Sequence, residues 1–278
     1  MTAAFSATDL DALLAILIDA ADVEILPRFD RLGAGDVSAK TGPLDLVTVA
    51  DQAAERRIAA AVAERFPDAV FVGEESVAED PARLDRLAEA RLAIVVDPID
   101  GTFNFASGMP LFGVMAAVVA EGETVAGVIL DPITGSHMTA LKGEGAILGH
   151  RDGRPARRLR VAAPLPVAEM HGCISWSYMP GPLRETVAAR MPCLAAAYTY
   201  RCAAHEYRLA ATGGCHVLAF GKIMPWDHLA GQLIHTEAGG FSAKFDGSPY
   251  RPTDLEGGLL LAPDEASWHA LREALFGN

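Results

Sequence analysis

Apolar residues recur three and four apart at Leu10, Leu13, Leu14, Leu17, Ile18 and Ala21, which predicts an amphipathic helix over residues 10–21. Thr8, with Asp11 in the following turn, is its expected start, the hydroxyl capping and the acid opposing the helix dipole. Residues 32–43 carry Gly33, Gly35 and Gly42-Pro43 and read as loop. A second helix is expected to open near Asp51, with Ala54, Ile58, Ala61 and Val62 on one face. Two short apolar runs follow, and each ends in acid. Residues 69–72 run into Gly73-Glu74-Glu75-Ser76, and residues 92–96 run into Asp97-Pro98-Ile99-Asp100-Gly101-Thr102. Each predicts a buried strand whose end delivers carboxylates into a loop. Residues 81–90, between them, read as helix.

From Gly113 the period changes. Residues 114–120, 124–130, 136–141 and 145–148 are strand candidates separated by Gly, Asp and Pro turns, the pattern of an antiparallel meander. Residues 149–158 are polar and basic and mark the expected boundary between an N-terminal α+β unit (1–153) and a C-terminal α/β unit (154–278). Beyond it, strands (172–176, 216–220, 258–261) alternate with helices (183–190, 203–211, 227–238, 264–276). No internal repeat or low-complexity segment interrupts this order.

The 278 residues are 51% hydrophobic and 21% charged, enough for a substantial core. The formal net charge of −13 argues against nucleic-acid binding through bulk positive charge and suits carboxylate sites that gather cations. Residues 1–8 lack the basic and apolar regions of a secretory leader, and no apolar run reaches membrane-spanning length. Cys173, Cys193, Cys202 and Cys215 form no Cys-x-x-Cys pair and are too few for a disulfide scaffold. Free thiols in a cytoplasmic protein are the expectation.

The candidate chemistry lies in Asp51, Glu74, Glu75, Asp97, Asp100 and Asp227. Pro98 disfavours helical backbone at Asp97, so Asp97 and Asp100 are expected to turn toward one side of a loop. Carboxylates packed that closely repel unless protonated or bridged by a cation, and an all-oxygen set selects a hard ion such as Mg²⁺. His205-Glu206 begins like a zinc-protease motif, but Leu209 stands where the second His belongs. Gly101 permits close backbone approach, and N–H groups opening a helix after it would favour an anion. Each feature alone has an ordinary explanation: an acidic turn is commonly a solvated loop, and an Asp after Trp226 is commonly a helix cap. Their joint occurrence at strand ends and helix starts is what points to a phosphate site.

Three ordered signatures carry a resemblance: Gly73-Glu74-Glu75-Ser76, Asp97-Pro98-Ile99-Asp100-Gly101-Thr102-Phe103-Asn104-Phe105, and Trp226-Asp227-His228-Leu229-Ala230-Gly231. Lys40, Asp45-Leu46-Val47-Thr48 with Asp51, Ala211-Thr212-Gly213-Gly214 and Thr236-Glu237-Ala238-Gly239-Gly240 support them. With these the chain resembles the inositol monophosphatase family. The resemblance implies a layered αβαβα sugar-phosphatase fold of the α+β class. It also implies Mg²⁺-dependent, Li⁺-sensitive hydrolysis of a small phosphorylated metabolite, with two or three ions per site and a homodimer. By motif, Glu74, Asp97 and the Ile99 carbonyl match the ligands of one metal, and Asp97, Asp100 and Asp227 those of a second. Glu74 also matches a catalytic role at a third ion. Asp51 and Thr102 match the pair that positions the attacking water, and Lys40 a mobile-loop lysine. Substrate contacts are implied for Asp100, Gly101, Thr102, Arg201, Ala203, Phe220 and Asp227.

The substrate side departs from the pattern. Inositol-specific members usually carry a carboxylate seven residues before the last metal Asp, where this chain has Phe220, and a Gly/Ser-rich stretch where it has Arg201-Cys202-Ala203-Ala204. Arg201 fits either a second anionic group of the substrate or a structural charge. His228 fits either a partner of the metal site or a cover for the helix start. Histidinol phosphate, nucleotide 3′-phosphates of the 3′(2′),5′-bisphosphate type, and a regulatory binding role on the same fold stand as alternatives.

Overall fold

The computed structural model describes residues 5–43 and 45–277. Part of the leader expectation concerns residues 1–4, which lie outside the described residues. In chain order the elements are α1 (Ala7–Ala20), β1 (Val37–Gly42), β2 (Asp45–Thr48), α2 (Val49–Arg65), β3 (Val70–Gly73), α3 (Glu74–Glu79), α4 (Arg83–Glu89), β4 (Leu92–Asp100) and α5 (Thr102–Ala106). Then come β5 (Gly113–Ala120), β6 (Glu123–Asp131), β7 (Ser136–Leu141), β8 (Gly145–His150), β9 (Arg157–Arg158), β10 (His171–Ser175), α6 (Gly181–Arg190) and β11 (Ala196–Tyr198). The chain ends with α7 (Ala203–Ala211), β12 (Val217–Phe220), α8 (Pro225–Glu237), β13 (Phe241–Lys244), β14 (Leu259–Ala262) and α9 (Glu265–Phe276).

Strands β3 to β9 form a seven-stranded sheet in sequence order, and a five-stranded sheet runs β11-β10-β12-β14-β13. α1 and α2 cover one face of the first sheet, with Leu13, Leu17, Ile58 and Val62 packed on Ile94, Val96, Val114 and Val128. Its other face meets α7 and α8: Met115, Ile129 and Met138 share a core with Tyr207, Leu229, Leu233 and Ile234. The same core reaches Leu218, Leu259 and Leu261 of the second sheet, so α7 and α8 lie between the two sheets. The outer face of the second sheet is covered by α6 and α9, where Val187, Trp268 and Leu271 pack on Val217 and Leu260. The order is helix, sheet, helix, sheet, helix, the layering the resemblance implies.

Several local expectations are corrected. Ser6, not Thr8, caps α1: its hydroxyl accepts from Asp9 N–H while Asp9 accepts from Ser6 N–H, a reciprocal box that outcompetes a lone threonine. Residues 37–42, expected as loop, form β1, because the hairpin with β2 supplies the hydrogen bonds that the glycines made unpromising. Glu74 and Glu75 open the helix α3 rather than a loop. The acidic run after β4 continues the strand through Asp100. β9 pairs with β8, so the first sheet extends past residue 153 to Arg158, and the second begins at His171. The meander β5–β8 stands as expected, and the four cysteines are free thiols. No helix among the described residues is long and apolar enough to cross a membrane.

Candidate active site

Register creates the site. β3 runs parallel to β4 with Gly73 opposite Val96, so the next residues, Glu74 and Asp97, fall side by side. Asp97 and Asp100 are three apart, and in a regular strand they would point to opposite faces. The pairing shifts between them: Asp97 faces Met115 and Asp100 faces Gly113, so three steps on β4 match two on β5. That bulge, at a proline with no N–H to donate, returns Asp100 to the side of Asp97. The Ile99 N–H donates to Asp97 Oδ1 at 3.0 Å and fixes the carboxylate across the bulge.

Asp227 arrives from the first turn of α8, after Met224-Pro225-Trp226. One oxygen each from Glu74, Asp97 and Asp227 lies within 4.8 Å of the others. Burial, then the charges of Glu74, Asp100 and Asp227, push the Asp97 carboxyl well above its ordinary value. Asp227 is pushed up to about 8 by burial and by Glu74 and Asp100. Three carboxylates held this close, with Asp97 buried and the other two half-buried, repel in ionised form unless a cation lies among them, and all-oxygen ligation fits Mg²⁺. The residues therefore fit a divalent ion. Asp100 borders the same cavity but lies outside the three-carboxylate group: its Oδ2 accepts the Ala204 N–H at 2.6 Å and the Cys202 thiol at 2.9 Å. Its carboxyl is raised by burial, against these hydrogen bonds.

Lys40 reaches over from β1, with Nζ 2.8 Å from Glu74 Oε1 and 2.7 Å from Glu75 Oε1. Burial disfavours its charge, but the two glutamates outweigh it and hold the ammonium above its ordinary pKa. Glu75 is pushed up to about 7 by burial and by Glu74. The turn that presents these glutamates has its own support. Glu55, on the buried face of α2, accepts the Glu75 N–H at 2.7 Å and the Ser76 N–H at 2.8 Å. A Cβ at Gly73 would come within 2.3 Å of the Glu55 carboxyl, so a larger residue there would displace the group that holds the turn. Glu55 is a functional residue that the sequence motifs do not mark. Its signal was an acid four residues after Asp51 on the apolar side of a helix.

Asp51 occupies the third position of α2, where Thr48 caps the helix and Asp51 Oδ2 accepts from the Thr48 N–H at 2.9 Å and from its hydroxyl. The other oxygen, Oδ1, lies 3.1 Å from the Thr102 hydroxyl, which is also 3.0 Å from the Ile99 carbonyl. Asp51 is fully buried, and burial pushes its carboxyl up to about 7 against the Thr48 hydrogen bonds. Gly101, at φ +86°, makes the left-handed turn from β4 into α5 that brings Thr102 back over Asp51.

The cavity at this end of the sheets encloses about 600 Å³. Glu74, Asp97, Ile99, Asp100, Gly101, Thr102, Ala203, Phe220 and Asp227 all border it, as does Arg201. Lys40 and Asp51 stand behind that lining, Lys40 against the glutamates and Asp51 against Thr102. Phe220 is 4% exposed, its ring 4.5 Å from that of His228 and 5.3 Å from that of Tyr207. His228 is buried: Nε2 donates to the Lys222 carbonyl at 2.9 Å, and Nδ1 accepts from the Tyr207 hydroxyl at 3.1 Å. Burial holds it neutral, its pKa depressed to about 3. His228 thus ties the Lys222 turn to α7 and is not placed as a ligand. Replacing Phe220 with Glu is expected to cost about 2–4 kcal/mol of stability, because the carboxylate enters an aromatic cluster with a neutral imidazole. Chemical denaturation of the variant checks this, and an unchanged midpoint would show that the cluster opens to water.

Both the layering and the cleft between strand ends and helix starts belong to one known class, the sugar-phosphatase fold. The profile of the inositol monophosphatase family matches residues 9–276, and the chain belongs to that family. It is 31% identical over 208 residues to an inositol-1-monophosphatase of Mycobacterium leprae, covering 74% of this chain and 71% of the other. It is 32% identical over 248 residues to the Nus factor SuhB of Haemophilus influenzae, covering 86% and 85%. Among solved structures, an IMPase of Thermotoga maritima aligns with TM-score 0.78 and 25% identity, over 96% of this chain and 98% of that one. An extragenic suppressor protein SuhB of Bartonella henselae aligns with TM-score 0.76 and 27% identity, covering 95% and 98%.

Proposed function

We propose that this protein is a Mg²⁺-dependent phosphomonoesterase that hydrolyses a small phosphorylated metabolite by direct attack of water. The observation that carries the reading is the convergence of the Glu74, Asp97 and Asp227 oxygens within 4.8 Å beside the Thr102–Asp51 pair. Glu74, Asp97, Asp227, the second oxygen of Asp100 and the Ile99 carbonyl would hold the ions. Bound Mg²⁺ would neutralise the phosphate dianion, which otherwise repels a nucleophile, and would make water more acidic. Family membership and the M. leprae and T. maritima relatives support this chemistry.

The chain's own residues then orient and deprotonate. Thr102 has one hydroxyl proton; donating it to Asp51 leaves the oxygen lone pairs to accept from a water and set its direction. Asp51, anchored through its other oxygen by Thr48, sits close to neutrality in pKa, as suits a group that takes a proton at physiological pH. Gly101 lets the backbone approach the phosphate. Thr102→Val is expected to lower kcat about 10²- to 10⁴-fold while Mg²⁺ affinity, read by calorimetry, is kept. Parallel loss of metal affinity would assign Thr102 to the metal instead of the water.

The test of the reading is phosphate release from a panel of monoesters, with Mg²⁺, with chelator, and with added Li⁺. The panel holds inositol 1-phosphate, histidinol phosphate, fructose 1,6-bisphosphate, 3′-phosphoadenosine 5′-phosphate and NADP. Mg²⁺-dependent, Li⁺-sensitive release from one member supports the reading and names the class. No release from folded, metal-loaded protein moves the weight to a regulatory binding role, the reading that the SuhB relatives keep open. A homodimer in the cytoplasm completes the proposal.

A further inference from the structure

Phe220 gives the substrate side of the cavity an aromatic wall with no acceptor for a polyol hydroxyl. The positive charges in the cavity lining are Arg201 and Lys222. Arg201 has the more unusual setting. Its backbone takes φ +55°, left-handed for a residue with a Cβ, and among the described residues it is the one such non-glycine residue bordering the cavity. Strain of this kind persists where surrounding contacts over-determine it, and here they do. The Arg201 N–H donates to the Thr199 hydroxyl at 3.2 Å, and that hydroxyl donates to buried Glu206 at 2.8 Å. Glu206 also accepts the Tyr200 N–H at 2.7 Å, and Asn104 Nδ2 donates to the Tyr200 carbonyl at 2.8 Å. The arginine's guanidinium carbon lies 3.8 Å from the centre of the Phe103 ring. Phe103 directly follows Thr102, so the stacked guanidinium is tied to the catalytic turn itself.

We propose that Arg201, laid on Phe103, is the specificity element of this cavity and receives a second anionic group of the substrate. Stacking engages the face of the guanidinium, and its edge carries the paired N–H groups that match a phosphate or carboxylate. The substrate class is then a phosphate monoester bearing a further phosphate or carboxylate, and not an uncharged polyol phosphate. Lys222, held by the His228 hydrogen bond to its carbonyl, adds positive charge to the same cavity. The inference rests on the phosphatase reading for the position of the scissile phosphate.

The experiment compares wild type, R201A and R201K, with the exposed-strand variant R157A as control. Substrates are mono- and bisphosphates of straight-chain diols of increasing length, and a phosphorylated hydroxy acid of each length. With Mg²⁺ present, the wild type is expected to show a KM about ten- to a hundredfold lower for one bisphosphate or phosphorylated acid than for the matching monophosphate. That ratio falls to about one in R201A, is partly restored in R201K, and is kept in R157A. The phosphate and carboxylate series show which anion is taken. Hydrolysis of monophosphates with no preference in the wild type, or a preference that survives R201A, overturns the inference and leaves the phosphatase reading standing. If nothing is hydrolysed, the phosphatase reading falls, and calorimetry with the same bisphosphates still decides: equal binding by wild type and R201A overturns the anion site.

Discussion

Asp97→Asn is expected to lower turnover about a thousandfold and, in the same protein, to raise the melting temperature of the metal-free form. The two effects have one cause. Asp97 is the buried member of the carboxylate group, and Glu74, Asp100 and Asp227 all act against its charge. Asn keeps the oxygen that accepts the Ile99 N–H, so the bulge in β4 is retained. It is neutral without having to take up a proton, so the metal-free fold no longer carries the cost of charging or protonating a carboxyl at a crowded, poorly solvated point. The same loss weakens the site for a divalent ion, and several kcal/mol of transition-state stabilisation correspond to about 10³ in rate. Thermal denaturation in chelator, beside kinetics in saturating Mg²⁺, separates the effects. A variant that melts lower in chelator, with turnover intact, would remove Asp97 from the metal assignment.

The metal-free protein is expected to lose stability as pH rises from 6.5 to 8, and Mg²⁺ is expected to flatten that slope. Asp227 is raised to about 8, and Asp51, Glu75 and Glu206 to about 7, chiefly by burial. In the unfolded chain these groups ionise near 3.8 for Asp and 4.5 for Glu. Between the two values the folded state holds more protons than the unfolded one, so rising pH favours unfolding. Below pH 6.5 an opposite contribution enters: buried His228 and His235, depressed to about 3 and about 4, protonate more readily once unfolded. At the lower edge of the window the unfolded histidines are still about half protonated and offset part of the slope; toward pH 8 they are neutral in either state and the carboxyls dominate. At about 1.4 kcal/mol per pH unit for each fully protonated group, the fall over this window is roughly 2–4 kcal/mol. That is about 3–7 °C in melting temperature for a chain of this size. A flat profile in chelator, or the same slope with and without Mg²⁺, would show that the carboxyls are solvated.

The parts of the site that were legible in the sequence are those whose chemistry is local. Asp97-Pro98-Ile99-Asp100-Gly101-Thr102 announces itself because apolar strand, proline, acids and glycine are contiguous, and the layered fold followed from the same signatures. The unread parts depend on partners distant in the chain. That Asp97 and Asp100 share a side depends on a register shift against β5, which their spacing does not encode. Glu55 looked like one more charge on a helix until Gly73 and the start of α3 came down upon it. β1 carries too many polar and glycine positions to read as a strand without its hairpin partner. Arg201 could be named as a departure from the family pattern, but its left-handed backbone and its seat on Phe103 arise from Glu206, Thr199 and Asn104 acting together.

The carboxylate group also sets a clock on biosynthesis. Glu74 opens α3 directly after β3 and Asp97 lies in β4, while Asp227 belongs to a helix made about 130 residues after Asp97. At 5–20 residues per second, roughly 6–26 s pass on the ribosome between synthesis of Asp97 and of Asp227. During that interval the nascent N-terminal half carries its acids without the third arm of the chelate, and its sheet face without α7 and α8. On the proposed reading, ion capture waits for Asp227, and mass action makes the ion a stabiliser of the fold that holds all three carboxylates and not of a fragment that lacks one.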